Sequence, residues 1–270
     1  MRLMPQKIII PRDTELYAKL MMRTSQCRIL MFAGLPGVGK TLMLQQAAIM
    51  AQMAGRNVYL LQWDVARMAF ETPEILARYP EINGATHMAI RKATGRWARQ
   101  AIANWPHTHP NPKDLLLGEL PIIGNRLVEL VEPNNDAAEA VLNDVQTYFV
   151  IPVPSNTIRQ AIEQARQNSI TAPRHARESA DAPPNVLQAL WHDLHALAVD
   201  LGFVAANNNL HPPAYDATVY AKTFQYLLRH RKNEVFWVNE AFATQGSAYD
   251  LEGIVGELAA SPSEVTVILQ

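Results

Sequence analysis

Gly34-Leu35-Pro36-Gly37-Val38-Gly39-Lys40-Thr41 is the stretch on which the reading of this chain turns. It matches the pattern G-x-x-x-x-G-K-[ST] at every fixed position. A loop that wraps a triphosphate must bring backbone N–H groups to phosphate oxygens, and Gly34, Gly37 and Gly39 allow the dihedrals and the close approach this requires. Lys40 then reaches the β- and γ-phosphates, and the Thr41 hydroxyl suits Mg²⁺. Before the loop, Cys27-Arg28-Ile29-Leu30-Met31-Phe32-Ala33 is an almost continuous apolar run, the pattern of a strand buried on both faces of a parallel sheet. After it, Thr41 to Ala54 is rich in helix formers, with Gly55 where a C-cap glycine belongs. That helix points its positive end at the loop. A chance Lys-Thr after a glycine-rich turn would not carry both flanks.

The 270 residues suffice for one large α/β domain or a domain with a substantial insertion. With 49% hydrophobic and 18% charged residues the profile is globular. A net charge of −1 excludes a polybasic, general polyanion binder. The single cysteine, Cys27, falls in the expected first strand as a small apolar residue; no disulfide within the chain is possible, and a reducing compartment fits. The Met1–Pro11 segment is basic and partly apolar, but its Ile8-Ile9-Ile10 run is too short for a signal sequence, and no stretch approaches the roughly 20 apolar residues of a membrane span. The expectation is a soluble, cytoplasmic protein.

Outward from the loop, Lys7 to Pro11 reads as a short strand or an extended arm, and Asp13 as the cap of a helix reaching about Arg23. Asn57 to Asp64 is a second strand ending on a carboxylate; Asp64 is either a ligand-facing acid at a strand's carboxyl end or the cap of the next helix. Thr72-Pro73-Glu74 starts a helix, and Ala85 to Trp105 is a long one whose Arg91, Lys92, Arg96 and Arg99 face either a substrate or solvent. His107 to Pro112 is a loop with two histidines and no further metal-ligand set. The apolar run Asp114 to Pro121 carries Glu119 at its end. A carboxylate there can hold the Mg²⁺ shell or orient a nucleophile; the plainer reading is a loop glutamate. Gly124 to Leu130 and Asp136 to Asn143 read as helices, Thr147 to Pro152 as a fourth strand, and Ser155 as the cap of a helix from Thr157 to about Gln167. The tract from Arg166 to Pro184, with Arg166, Arg174, Arg177 and the upstream Arg159, reads as a mobile lid over phosphates or an ordinary solvated connection. Beyond it, Val186 to Leu201 is a helix capped by Gly202, with His192 and His195 one turn apart. Asn207 to Pro213 is a loop, Ala217 to His230 a helix whose basic end (Arg229 to Lys232) complements its dipole, and Glu234 to Asn239 a fifth strand. Asp250 to Ala260 reads as a helix, and Ser261 to Gln270 carries both helix-start and strand signals.

The chain resembles the P-loop NTPase superfamily and, within it, the nucleoside and nucleotide kinase group. Gly34 to Thr41 is the Walker A loop; Asp64 ends the second strand, where such kinases place an acid; Leu116-Leu117-Gly118-Glu119-Leu120-Pro121 stands where adenylate kinases carry an apolar run followed by Asp-Gly-Phe-Pro; and the arginines from Arg159 to Arg177 stand where a lid is expected. The resemblance implies one domain over residues 1–270. It would be a three-layer α/β sandwich with a mainly parallel five-stranded sheet and a helical lid insertion at about 159–184. It implies ATP and Mg²⁺ as ligands, with nucleotide contacts from Gly34 to Leu42, metal contacts at Thr41 and Glu119, and catalytic roles for Lys40, Asp64, Glu119, Arg166 and Arg174. The partner would be a small-molecule acceptor, with no membrane and no clear nucleic acid. One departure stands out: Gly118 occupies the Walker B aspartate position, and the acid is Glu119. The chain has no Asn-Lys-x-Asp for guanine and no Leu-Ser-Gly-Gly-Gln. An AAA-like regulatory ATPase or nucleotide switch is the alternative, since Pro36 to Thr41 has the form common in that class; a degenerate nucleotide binder is a third reading.

Overall fold

The apolar run ahead of the glycine loop is β1 (Ile29–Ala33), buried along its whole length. The computed structural model describes residues 7–82, 85–205, 213–243 and 246–270. The start of the basic N-terminal segment, and residues 207–212 of the expected Asn207–Pro213 loop, lie outside the described residues. In chain order the elements are α1 (Glu15–Gln26), β1, α2 (Lys40–Met53), β2 (Asn57–Gln62), α3 (Trp63–Met68), α4 (Pro73–Arg78), α5 (Met88–Thr108), β3 (Asp114–Leu120), α6 (Ala137–Leu142), β4 (Thr147–Pro154), α7 (Asn156–Thr171), α8 (Pro184–Asp200), α9 (Ala217–Leu227), β5 (Asn233–Val238), β6 (Gly256–Glu257) and α10 (Pro262–Leu269).

One open sheet of six strands, in the order β5-β4-β1-β3-β2-β6, is parallel at every pairing among the described residues. From β1 the chain skips to β2, returns to β3 beside β1, and then crosses to β4 on the other side. That reversal opens a crevice beyond the carboxyl ends of β1 and β3, the place where open α/β sheets bind ligands. Helices flank both faces. Ile29, Met31 and Ala33 pack with α5, α9 and α10; Leu30 and Phe32 pack with α1 and α2. Parallel register puts Met31 beside Gly118 and Phe32 beside Glu119. Because side chains alternate across a strand, Gly118 lies on the α5 face and Glu119 on the α2 face.

Several expectations change. The sheet has six strands rather than five, because the segment read as a helix from Asp250 to Ala260 runs extended along the edge of β2. There the Val255 and Leu258 N–H groups donate to Val58 O and Leu60 O, each at 2.8 Å, so an open sheet edge outweighs local helix propensity. At Ser261 to Gln270 the helix signal wins: Ser261 and Glu264 form a reciprocal capping box. Thr14, not Asp13, caps α1, accepting from Tyr17 N–H. The first strand starts at Ile29, leaving Cys27 as the buried C-cap of α1. Residues 124–130 form no α-helix, only a 3-10 turn at Val128–Leu130, because Gly124, Asn125 and Leu127 have φ of +82°, +56° and +57°. The long helix runs Met88–Thr108 and takes in Pro106 and His107; the buried Trp105 and the His109 ring stacked on it at 3.8 Å hold that last turn. Arg231 does not serve a helix end: α9 stops at Leu227, and the Arg231 side chain is 0% exposed.

Arg231 instead meets Arg99 on one carboxylate. Arg231 Nη1 lies 2.8 Å from Glu139 Oε1 and Arg99 Nη2 2.6 Å from Glu139 Oε2. Arg99 Nε also pairs with Asp136 at 2.5 Å, and Arg231 donates to Leu130 O and Glu132 O, both at 2.8 Å. So Arg99 faces neither substrate nor solvent; it ties α5 to α6. Burial works to raise the Glu139 pKa, but bonds from Arg231, Arg99 and Asn134 N–H override it and hold the carboxyl at about 2. A depressed carboxyl stabilises the fold above its ordinary value near 4.5 and loses that contribution as pH falls towards 2. Glu139→Ala, which leaves buried Arg231 without a carboxylate and Arg99 with Asp136 alone, should cost about 3–5 kcal/mol in urea unfolding at pH 7. The gap from wild type should shrink between pH 4.5 and 2.

Candidate functional site at the glycine loop

The loop between β1 and α2 is shaped by clamps on its inner side. Gly34 N–H donates to Leu120 O at 3.2 Å, tying it to β3. The fully buried Tyr220 of α9 accepts from Leu35 N–H at 3.2 Å. A Cβ at position 34 would stand 2.5 Å from that hydroxyl, so the first glycine is dictated by close approach. Gly39 is the N-cap of α2 at φ +89°, a left-handed conformation that disfavours any side chain. Two carbonyls are held by cations: Leu35 O by Lys40 Nζ at 2.9 Å and Pro36 O by Arg159 Nη1 at 3.1 Å. Arg159 is itself buried and paired with Glu163 at 2.8 Å. The backbone N–H groups from Gly37 to Leu42 then make no hydrogen bond within the described residues. Consecutive unpaired donors running into a helix N-terminus form an anion-binding concavity.

Glu119 stands across from the loop, on the α2 face at the carboxyl end of β3. Its Oε1 is buried and has no hydrogen-bond partner among the described residues. Burial raises its pKa, opposed by the Lys40 charge and by the Thr41 and Gln62 side chains, while Asp64 adds to the rise. Lys40 is the counterpart. Burial pushes its ammonium down to about 8, with Arg166 and Arg126 pushing the same way and Glu119 and Asp64 opposing them. The departure at Gly118 is explained by parity. A Cβ there would lie 2.2 Å from Met31 Sδ and 3.3 Å from Leu61 O, on the face away from Thr41. An acid at 118 could not reach the loop; one at 119 does.

Loop and acid open into a cleft of about 980 Å³ that also brings together Asp64, Arg166 and Arg174. Asp64 lies in the first turn of α3, two residues past the strand's end at Gln62; Gln62, not Asp64, is the N-cap. Its side chain is 71% exposed and meets Arg67 Nε at 3.4 Å. Arg166, on α7, pairs with Asp181 at 2.7 Å, and Tyr249 donates to the same oxygen at 2.6 Å. Arg174 is exposed, with its backbone N–H on Glu178 Oε2 at 2.7 Å. The expected lid tract is thus the end of α7, a 3-10 turn at Ala176–Ala180 and the start of α8. Arg177 reaches Gln62 Oε1 at 2.8 Å. Other candidates lie outside this cleft. His109 is packed between Trp105 and Tyr59, and His195 lies against Trp191. Sequence reading passed over Arg126 and Tyr220. Arg126, which also lines the cleft, had a usable signal, its place in the loop just beyond a strand's carboxyl end; Tyr220 had none. Among the described residues no helix is long and apolar enough to cross a membrane.

A buried ammonium that is easier to deprotonate in the fold penalises the fold while charged. The unfolded chain binds more protons between the folded pKa of about 8 and the ordinary 10.5, so stability should rise with pH across that window. Lys40→Met should therefore raise the Tm at pH 7, and its advantage should narrow as pH climbs from 8 to 10.5. No family model and no curated protein matches this chain.

Proposed function

We propose that the protein is a P-loop NTPase that binds ATP with Mg²⁺ and transfers the terminal phosphoryl group to a small-molecule acceptor, in the manner of nucleoside and nucleotide kinases. The observation that carries this is the run of unpaired N–H donors from Gly37 to Leu42, set between buried Lys40 and the orphaned Glu119 oxygen. A triphosphate is the ligand such a run suits. The Thr41 hydroxyl and Glu119 form an oxygen donor set that fits a hard divalent cation, directly or through water. When bound, the metal supplies neutralisation of phosphate charge.

The residues divide the remaining work. Lys40 neutralises charge on the transferring group, and Arg166 and Arg174, which line the same cleft, close over the phosphates and exclude water. Asp64 or Glu119 orients the acceptor oxygen and takes its proton. The transfer breaks the bond from the terminal phosphorus to its bridging oxygen, makes one to the acceptor oxygen, and leaves a nucleoside diphosphate. The cleft of about 980 Å³ lies within the roughly 300–1,000 Å³ range of ligand sites, and its lining brings Asp64, Arg126, Arg166 and Arg174 to the same space as the loop. The test is ADP release with ATP and Mg²⁺ against a panel of nucleosides, nucleotides and small hydroxyl compounds. One class should stimulate, and Lys40→Ala should lower the stimulated rate about 10²–10³-fold. Tight ATP binding with no stimulation by any member would defeat the kinase reading and favour the switch.

A further inference from the structure

Arg126 lines the same cleft as the glycine loop, Trp63, Asp64 and Thr86. The charges of Asp64, Arg91 and Arg67 act on it, and it acts in turn on Lys40. Its neighbours are committed. Arg67 pairs with Glu71 at 2.6 Å and Asp64 at 3.4 Å; Arg91 donates to Thr86 O at 2.7 Å and Gly124 O at 2.6 Å. The Arg126 guanidinium has no hydrogen bond and no ion pair among the described residues. It is half-buried, and burial lowers its pKa. Leaving a partly desolvated guanidinium unpaired is costly, and its planar fork matches phosphate or carboxylate oxygens.

The backbone that presents Arg126 is also unusual. Asn125 and Leu127, on either side of it, both have left-handed φ, at +56° and +57°. Such conformations persist in non-glycine residues only when the surroundings impose them, and they cluster at ligand clamps. Here buried Ile122 and Leu127 anchor the loop, and Arg91 holds Gly124 O. A strained, pinned loop thus delivers an uncommitted cation into the cleft beside Asp64.

We propose that Arg126 binds an oxyanion of the acceptor, so that the second substrate is an anionic small molecule bearing a phosphate or carboxylate group. This rests on the phosphotransfer reading. Asp64 then faces the reactive hydroxyl while Arg126 anchors the charged end, which makes Arg126 a specificity-determining residue.

Two measurements test it. The first is ADP release with matched acceptors: nucleosides against nucleoside monophosphates, hexoses against hexose phosphates, glycerol against glycerate. The anionic members should be preferred, with the pairs distinguishing phosphate from carboxylate. Arg126→Gln should lower kcat/KM for them about 10–100-fold, through KM, leaving the KM for ATP unchanged, and Arg126→Lys should recover part of the loss. Preference for neutral members, or an effect of Arg126→Gln on ATP alone, overturns the assignment. The second does not depend on catalysis. Inorganic phosphate is titrated into Lys40→Ala, in which the glycine loop keeps its backbone donors but loses its ammonium, and into Lys40→Ala/Arg126→Gln, with the Tm of both recorded. A saturable site lost in the double variant at unchanged Tm supports the assignment; no site, or equal binding in both, overturns it. Failure of ATP binding in wild type alongside a phosphate site that depends on Arg126 would sink the kinase reading and leave the anion site standing.

Discussion

The pairing of β3 with β1 is the constraint on which the site depends. Both strands are buried on both faces, so their alternation is set by two separate cores rather than one. A slip of one residue would exchange every side chain between the α2 and α5 layers, moving Leu115 and Leu117 as well as Glu119. The register therefore cannot drift, and the carboxylate is delivered opposite Lys40 and Thr41 by hydrophobic packing that has nothing to do with charge. Two ionisable groups are then held where neither would go alone. Burial raises one and lowers the other, and each partly offsets the other's desolvation.

The loop itself is shaped from behind. Tyr220 and Arg159 come from helices that follow β1 by more than a hundred residues, yet they take the inward-facing groups of Leu35 and Pro36. With the Leu35 and Pro36 carbonyls drawn back by cations, the N–H groups that follow are left without protein partners. This is preorganisation: an anion entering the loop finds donors that are already oriented. The cost is visible in Lys40, a buried ammonium whose main bond is to a carbonyl. The fold tolerates it because the Arg99–Glu139–Arg231 cluster and the two cores supply stability away from the loop.

The lid expected from the arginine-bearing tract has, in this conformation, a set of ties. Asp181 is shared by Arg166 and Tyr249, and Arg177 bridges Gln62 to the edge strand β6, with Glu257 at 3.7 Å. The C-terminal segment thus closes one wall of the cleft, and the two halves of the chain both contribute to it.

The loop, the strand before it and the helix after it were legible in the sequence because their signals are local: fixed glycine spacing, an unbroken apolar run, good helix formers. The same holds for the caps at Thr72, Ser155 and Ser261, each a side chain bonding to backbone three residues away. The alternation of strands and helices was enough for a parallel sheet. What the sequence could not decide depended on partners distant in the chain. The Asp250–Ala260 segment became an edge strand because β2 offered unpaired backbone groups; residues 124–127 took left-handed turns because Leu127 had a place in the core; Arg231 was buried because Glu139 and two carbonyls were waiting for it. Glu119 lies between these cases. Its position at a strand end could be read locally, but only the register of β3 against β1 determines that it, and not residue 118, faces the loop.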